Sequence, residues 1–175
     1  MANSKTDKTI KNITFTALLA ALTCIATSII RIPIPATGGY IHPGDAFVIL
    51  GGVFLGPILG LLAGGAGSAL SDLIGGYVIY VPITFITKAL MAVIAYYVYI
   101  ITKKAFKKTV VSIILAGLAA TVILVLGYFV FEYPLYGKGA ILSLLPNFIQ
   151  GVSGIIISTL LSPIFVKIKK SYIDA

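Results

Sequence analysis

Charged residues are scarce in this sequence. Of 175 residues, 10% are charged and 59% are hydrophobic, and the mean hydropathy is +1.09. A soluble domain normally carries about 25% charged residues, so this chain lacks the charges needed to cover a surface in water. Lipid tolerates such a composition, because apolar side chains can then face outward as well as inward. The composition excludes an ordinary soluble protein and predicts an integral membrane protein.

Residues that perform chemistry are also few. Cys24 is the single cysteine; it lies in an apolar run, cannot form an intrachain disulfide, and is interpreted as a packing residue. One histidine without a neighbouring nucleophile makes no catalytic triad, and no metal-ligand spacing is present. Gly137-Lys138-Gly139 lacks the glycine spacing and the Ser/Thr of a phosphate-binding loop. The sequence predicts no enzyme, metal or cofactor, and any ATP hydrolysis must come from another subunit.

The excess of basic residues has a pattern. The sequence has 13 Lys+Arg and five Asp+Glu, which gives a net charge of +8. The lysines cluster at the ends of apolar runs rather than forming an exposed basic face, which disfavours nucleic-acid binding. With about six spans, one side receives Lys5 to Lys11, Lys103 to Lys108 and Lys167 to Lys170, and the other receives Arg31, Asp45, Asp72, Glu132 and Lys138. The positive-inside rule then predicts that both termini are cytoplasmic.

The hydrophobic runs predict one transmembrane domain over residues 1–175, an all-α bundle of six helices. The first span, retained rather than cleaved as a signal, ends at Arg31-Ile-Pro-Ile-Pro35, since two prolines cannot continue a helix. A long loop follows, and then a run that we divide into two short spans at Gly56-Pro57. The predicted spans are 11–30, two within 45–71, 78–102, 109–131 and 141–167, with loops at 72–77 and 133–139.

Small residues recur at a spacing of four in several spans. Gly52, Gly56, Gly60 and Gly64 form one such series, and Ala17 and Ala21 form another in the first span. This spacing places small side chains on one helix face, where two backbones can approach closely in lipid. Internal packing explains most of them. The alternative for the first span is that Ala17 and Ala21 dock another membrane subunit.

Ionisable residues near membrane depth are costly and are candidates for function. Together with amides and tyrosines of the same side, they form the predicted substrate-binding set: Tyr40, His42, Asp45, Asp72, Tyr77, Tyr80, Lys88, Glu132, Asn147 and Gln150. This set suits a small polar aromatic ligand. Aromatic rings can stack on it, amides can form hydrogen bonds with the polar atoms at its edge, and the proline/glycine-rich loop can close over it.

Structural alternatives exist for several of these residues. Asp45 has the chemistry of a helix N-cap, and Asp72 could pair with Lys88 across two spans. His42, next to a proline, could be a solvated turn residue. The tyrosines could be anchors at the membrane interface.

The order of these pieces resembles a known family, the substrate-binding S components of energy-coupling factor (ECF) transporters. The resemblance rests on the basic N-terminus before Ala17-x-x-x-Ala21, the loop from Arg31 to Asp45, the glycine-rich stretches and residues 82–88. It implies a six-helix bundle in a bacterial plasma membrane, with the loop from Ile34 to Asp45 as a lid over a vitamin or precursor. It also implies a coupling membrane subunit, docked through Ala17 and Ala21, and two ATPase subunits.

The loop around His42 most resembles members assigned to pyridoxine or hydroxymethylpyrimidine. The absence of tryptophan departs from the thiamine binders, the proline motif of the biotin binders is not matched, and riboflavin remains an alternative. A stand-alone secondary transporter is a further alternative, although the two halves show no convincing repeat.

Overall fold

Residues 2–173 form six α-helices and a short β-hairpin. The computed structural model describes the backbone of residues 2–173 and the side chains of residues 6–171. The helices are α1 (Ala2–Ile29), α2 (Asp45–Leu55), α3 (Pro57–Ile74), α4 (Val81–Phe106), α5 (Thr109–Tyr136) and α6 (Ile141–Ile168). The hairpin between α1 and α2 consists of β1 (Ile32–Ile34) and β2 (Gly39–Ile41). Short 3₁₀ helices precede α4 (Val78–Tyr80) and α6 (Gly137–Ala140), and a π-helical turn (Lys169–Ile173) follows α6.

The helices carry a lipid-facing apolar surface. Side chains such as Ile58 and Leu160 are more than 70% exposed, as expected where the solvent is hydrocarbon. In residues 2–173, four helical stretches are long and apolar enough to cross a membrane, and the last contains both α5 and α6: Thr6–Ile29, Pro57–Ile74, Val78–Phe106 and Thr109–Ser171. The chain is a helical multi-pass membrane protein.

Helix α2 is much shorter than the other five α-helices of residues 2–173. Its 11 residues rise about 16 Å, roughly half the hydrocarbon thickness. By length it does not span a membrane unaided. That all six helices act as spans, with both termini cytoplasmic, stays a prediction.

The predicted break between the second and third spans is confirmed. Helix α2 ends at Leu55, and Pro57 occupies the first turn of α3, where its missing N–H is not needed. Gly56 between them has φ 89°, a conformation that side chains resist. This glycine–proline pair allows α3 to turn back against α2.

Other boundaries differ from the prediction in part. Helix α1 begins at Ala2, well before the span predicted from residue 11. The span predicted from residue 78 agrees with the apolar stretch Val78–Phe106, in which a 3₁₀ turn precedes α4. Helix α5 continues past Pro134 to Tyr136, where a loop was predicted. A proline this close to a helix end removes only one backbone bond, and Gly137 at φ 54° then ends the helix.

The fold class is corrected in one detail, because the predicted irregular loop contains β-structure. β1 and β2 are antiparallel, with Ile32 opposite Ile41 and Ile34 opposite Gly39. Between them the N–H groups of Thr37 and Gly38 both donate to the carbonyl of Ile34, at 3.2 and 3.0 Å. The proline-containing segment is therefore a folded cover rather than a loose connection.

Helix α2 lies at the centre of the bundle, in contact with α1, α3, α4 and α6. Small residues bring these backbones together, as the glycine spacing predicted: a Cβ on Gly52 would collide with the carbonyl of Ala92, and one on Gly60 with the backbone of Gly51 and Gly52. Gly52, Gly60 and Gly64 therefore serve internal packing, whereas Gly56 forms the turn between α2 and α3. Ala17 and Ala21, in contrast, are exposed on α1.

Candidate functional site

A chamber lies beneath the hairpin, at the end of the bundle where α3 ends and α4 begins. Its walls combine aromatic rings, two carboxylates, an amide and a hydroxyl, from Ile34, Gly39, Tyr40, His42, Asp72, Tyr80, Thr84, Tyr128, Glu132 and Asn147. The space available to water inside it is about 20 Å³, which is room for roughly one water molecule. The side chains around the chamber therefore leave no more than water-sized space between them.

Three hydrogen bonds fasten the hairpin region to the helices around it. The Tyr80 hydroxyl donates to the carbonyl of Thr37 at 2.7 Å, and the Tyr40 hydroxyl donates to Asp72 Oδ1 at 2.5 Å. On the other side, Gln150 Oε1 accepts the backbone N–H of His42 at 3.0 Å. These bonds come from α3, the turn before α4, and α6, so the cover is held on several sides.

A buried ion pair forms the layer below the chamber. The Lys88 ammonium contacts Asp45 Oδ1, and both side chains have no exposed surface. Gln150 Nε2 donates to the second carboxylate oxygen of Asp45 at 2.8 Å. The Lys88 ammonium also lies 5.5 Å from the centroid of the Tyr128 ring, within range of a cation–π interaction. A buried charge needs such partners, because the bundle cannot replace its lost hydration.

This pair corrects two structural interpretations of the sequence. Asp45 does not cap α2: Gly44 precedes the helix and no side-chain cap bond forms, because the carboxylate points to Lys88 instead. Asp72 does not pair with Lys88 and instead accepts the Tyr40 hydroxyl. Spacing along the chain could not choose between the two carboxylates, because the choice depends on how α2, α3 and α4 rotate against each other.

His42 is buried rather than a solvated turn residue, with 7% of its surface exposed. Its Nδ1 accepts the backbone N–H of Gly44 at 3.1 Å. Burial, together with the positive charge of Lys88, lowers the pKa of His42 from 6.5 to about 3. The imidazole is therefore neutral near pH 7, and with Nδ1 accepting, Nε2 carries the proton.

Glu132 provides a second buried carboxylate, only 1% exposed. Ser143 donates its hydroxyl to Oε2, and the Tyr80 hydroxyl lies 3.2 Å from Oε1. Tyr80 has one proton, and the nearer acceptor is the carbonyl of Thr37. Among the described side chains Glu132 has no ion-pair partner. It keeps acceptor capacity toward the chamber, which a donor group on a ligand could use.

Beside the chamber, Tyr40 packs against a second, tilted tyrosine ring and a guanidinium. The Tyr40 and Tyr77 rings lie 4.5 Å apart, and the Arg31 guanidinium lies 5.0 and 5.6 Å from their centroids. Arg31 also donates to the carbonyl of Ser71 at 3.0 Å. Burial and the hydrogen bond to Asp72 raise the pKa of the Tyr40 phenol, so it remains a donor at neutral pH.

The predicted site residues lie in three positions. Six line the chamber: Tyr40, His42, Asp72, Tyr80, Glu132 and Asn147. Three lie in the layer below it, Asp45, Lys88 and Gln150, and Tyr77 lies outside against Tyr40. Whether any of them binds substrate stays a prediction.

Four lining residues were missed by the sequence reasoning: Ile34, Gly39, Thr84 and Tyr128. Two of them had a usable signal. Thr84 lies one turn before Lys88 on α4, and Tyr128 lies one turn before Glu132 on α5, so each shares a helix face with a residue already chosen. The two hydroxyls meet at 2.9 Å. Ile34 and Gly39 lie in the segment that the family resemblance implied as a lid, but they were not chosen as site residues, since the hairpin was not predicted.

Comparison with known proteins covers nearly the whole chain. A family model described as "ECF-type riboflavin transporter, S component" matches residues 7–167. A Pyrococcus woesei protein described as "Uncharacterized protein in gap 3'region" is 38% identical over 137 residues, which is 76% of this chain and 86% of that protein. The range of the family match includes every residue of the chamber and of the layer below it.

Proposed function

Because the chain belongs to the family of S components of ECF-type riboflavin transporters, we propose that its closed chamber captures a small aromatic vitamin or vitamin precursor for import. As an S component, it is a substrate-binding subunit of an ECF transporter and not an enzyme. ATP hydrolysis by partner subunits is consistent with this system.

The observation that carries the proposal is the composition of the chamber walls. Tyrosine and histidine rings offer stacking faces, whereas Asp72 and Glu132 offer carboxylate acceptors that no lysine or arginine pairs with among the described side chains. The nearby Lys88 charge is already neutralised by Asp45. These groups favour an uncharged or weakly basic heteroaromatic ring with N–H or O–H donors, and they disfavour an anionic ligand.

Entry requires the hairpin to move, because the closed chamber holds about one water molecule. The three hydrogen bonds that fasten it contribute about 1 kcal/mol each. An open state about 3 kcal/mol above the closed one would be populated on the order of 1%. The segment from Ile34 to Asp45 thus acts as a lid that opens rarely on its own and closes over a ligand.

Pyridoxine and hydroxymethylpyrimidine are the substrates we favour, because each is a single ring with donor groups and needs the smallest expansion of the chamber. Riboflavin is the second candidate, because the description of the matched family names it. It would need a much wider opening of the hairpin.

Docking of the partners is proposed through α1. Ala17 and Ala21 are exposed one turn apart and take no part in the glycine-mediated packing of α2. A coupling membrane subunit could therefore approach α1 closely at this face, with two ATPase subunits completing the transporter. We place the protein in the bacterial plasma membrane with its lysine-rich end cytoplasmic.

Native mass spectrometry of the purified protein tests the substrate directly. We expect a retained small molecule whose mass identifies the vitamin, followed by calorimetric titration with pyridoxine, hydroxymethylpyrimidine and riboflavin. Tyr80→Phe should weaken binding about fivefold, because the lid loses one hydrogen bond of about 1 kcal/mol. Tyr133→Phe is the matched control, since Tyr133 is 51% exposed. A protein that binds none of the B vitamins or their precursors would refute the proposal.

A further inference from the structure

A second cavity lies at the opposite, lysine-rich end of the bundle, among the ends of α2, α4 and α6 and the start of α5. It holds about 420 Å³ of space, far more than the chamber under the hairpin. Its lining combines three lysines with apolar and aromatic side chains. The lining residues are Val53, Phe54, Tyr99, Lys103, Thr109, Val166, Lys169 and Lys170. Neither the substrate site nor the exposed face of α1 uses this cavity.

The positive charge of this cavity is not compensated by its own lining. The Lys103 ammonium donates to Thr109 Oγ1 at 2.6 Å and to the carbonyl of Lys107 at 3.3 Å, so neutral acceptors hold it in place. Among the side chains that the structure describes, residues 6–171, no carboxylate lines the cavity. Thr109 is also the first residue of α5, and the positive end of that helix dipole adds to the same field.

An apolar groove adjoins the basic cavity. Phe54 and Lys169 line both spaces, and the groove continues between α1 and α6 with about 210 Å³ of space. Apart from Lys169 its walls are hydrocarbon and aromatic, including Leu18, Leu22 and Ile164. A ligand that occupied both spaces would need an anionic group joined to an aliphatic chain.

We propose that this composite site binds one anionic phospholipid, with the phosphate at Lys103, Lys169 and Lys170 and an acyl chain in the groove between α1 and α6. Basic pockets between membrane helices bind such headgroups by charge. The groove adds a hydrophobic requirement that a free phosphate ion does not meet. An acidic protein segment would meet the lysines but would leave the aliphatic groove unfilled.

The test compares lipid retention by the full chain and two charge-matched variants. Nanodiscs of phosphatidylcholine with a graded fraction of phosphatidylglycerol are prepared, and retained lipids are counted by native mass spectrometry after transfer to mild detergent. The cavity variant is Lys103→Gln with Lys169→Gln and Lys170→Gln. The control is Lys104→Gln with Lys108→Gln and Lys167→Gln, three exposed lysines at the same end that do not line the cavity. Thermal unfolding of each variant checks that it is folded.

We expect one phosphatidylglycerol retained by the parent and by the control, and about a hundredfold weaker retention by the cavity variant, since each lysine contributes roughly fivefold. Equal losses in both variants would mean unspecific surface attraction and would overturn the proposal. Equal retention of phosphatidylcholine would also overturn it. Inorganic phosphate that binds as tightly as the lipid would overturn it as well.

Discussion

The ion pair of Lys88 and Asp45 gives the sharpest test of how the substrate end is built. Both side chains have no exposed surface, and among the described residues Gln150 is the one other that donates a side-chain hydrogen bond to the Asp45 carboxylate. Replacing Lys88 with Met leaves that carboxylate buried with a single amide donor. Breaking a buried pair in this way costs about 3–5 kcal/mol, which lowers Tm by roughly 6–20 °C for a chain of this size.

The double variant separates the pair from the packing. In Lys88→Met with Asp45→Asn no charge is left uncompensated, and the Gln150 amide keeps an acceptor. We expect this double variant to recover most of the stability lost by either single variant, because replacing a whole buried pair is often neutral. The measurement is thermal unfolding in one detergent, arranged as a double-mutant cycle.

Lys138→Met is the control for the substitution itself, since Lys138 is exposed and should change stability by less than about 0.5 kcal/mol. A Lys88→Met variant as stable as the parent would contradict this prediction. A double variant less stable than either single one would also contradict it, since the charges would then not be acting as a pair.

Three further predictions concern other parts of the molecule. Replacing Ala17 and Ala21 with Leu should abolish uptake by the assembled transporter yet leave ligand binding by the isolated chain intact; loss of both activities would indicate misfolding instead. The pKa of His42 is lower in the folded state than in the unfolded state, so the unfolded state binds the proton more readily. The free energy of unfolding should therefore be greatest above pH 6.5 and fall as the pH drops toward 3. Thermal unfolding measured across this pH range checks the prediction, and His42→Gln should flatten the profile. Gly52→Ala should lower the unfolding free energy by about 1–3 kcal/mol, because the new methyl meets a carbonyl of α4; Gly139→Ala, which meets only ordinary contacts, should melt like the parent.

Part of the site could be predicted because charged residues within apolar runs are costly to bury and are therefore easy to recognise in the sequence. Lys88, Asp72 and Glu132 interrupt apolar runs, and burial of such groups demands a partner or a ligand. Six of the ten chosen residues line one chamber. Thr84 and Tyr128 were missed because a threonine or a tyrosine in a membrane helix is ordinary, and only its place one turn from a charged residue distinguished it.

The alternatives that failed did so for a related reason. Asp45 has the chemistry of a helix cap, and Asp72 is a reasonable partner for Lys88. Each interpretation considered a residue with its neighbours in sequence, whereas the actual partners lie 43 residues apart for Lys88 and Asp45 and 105 apart for Gln150 and Asp45. Such pairings depend on the rotation and depth of each helix, which no local pattern encodes.

The sequence by itself determined the membrane class, the S-component resemblance and the break at Gly56-Pro57, because hydropathy and backbone stereochemistry act over a few neighbouring residues. Only the tertiary structure decided the hairpin that covers the chamber, the choice of Asp45 over Asp72 as the partner of Lys88, and the lysine-lined cavity at the other end. Each of these joins segments that are distant in the chain, and the packing of the helices in three dimensions sets which of their side chains meet.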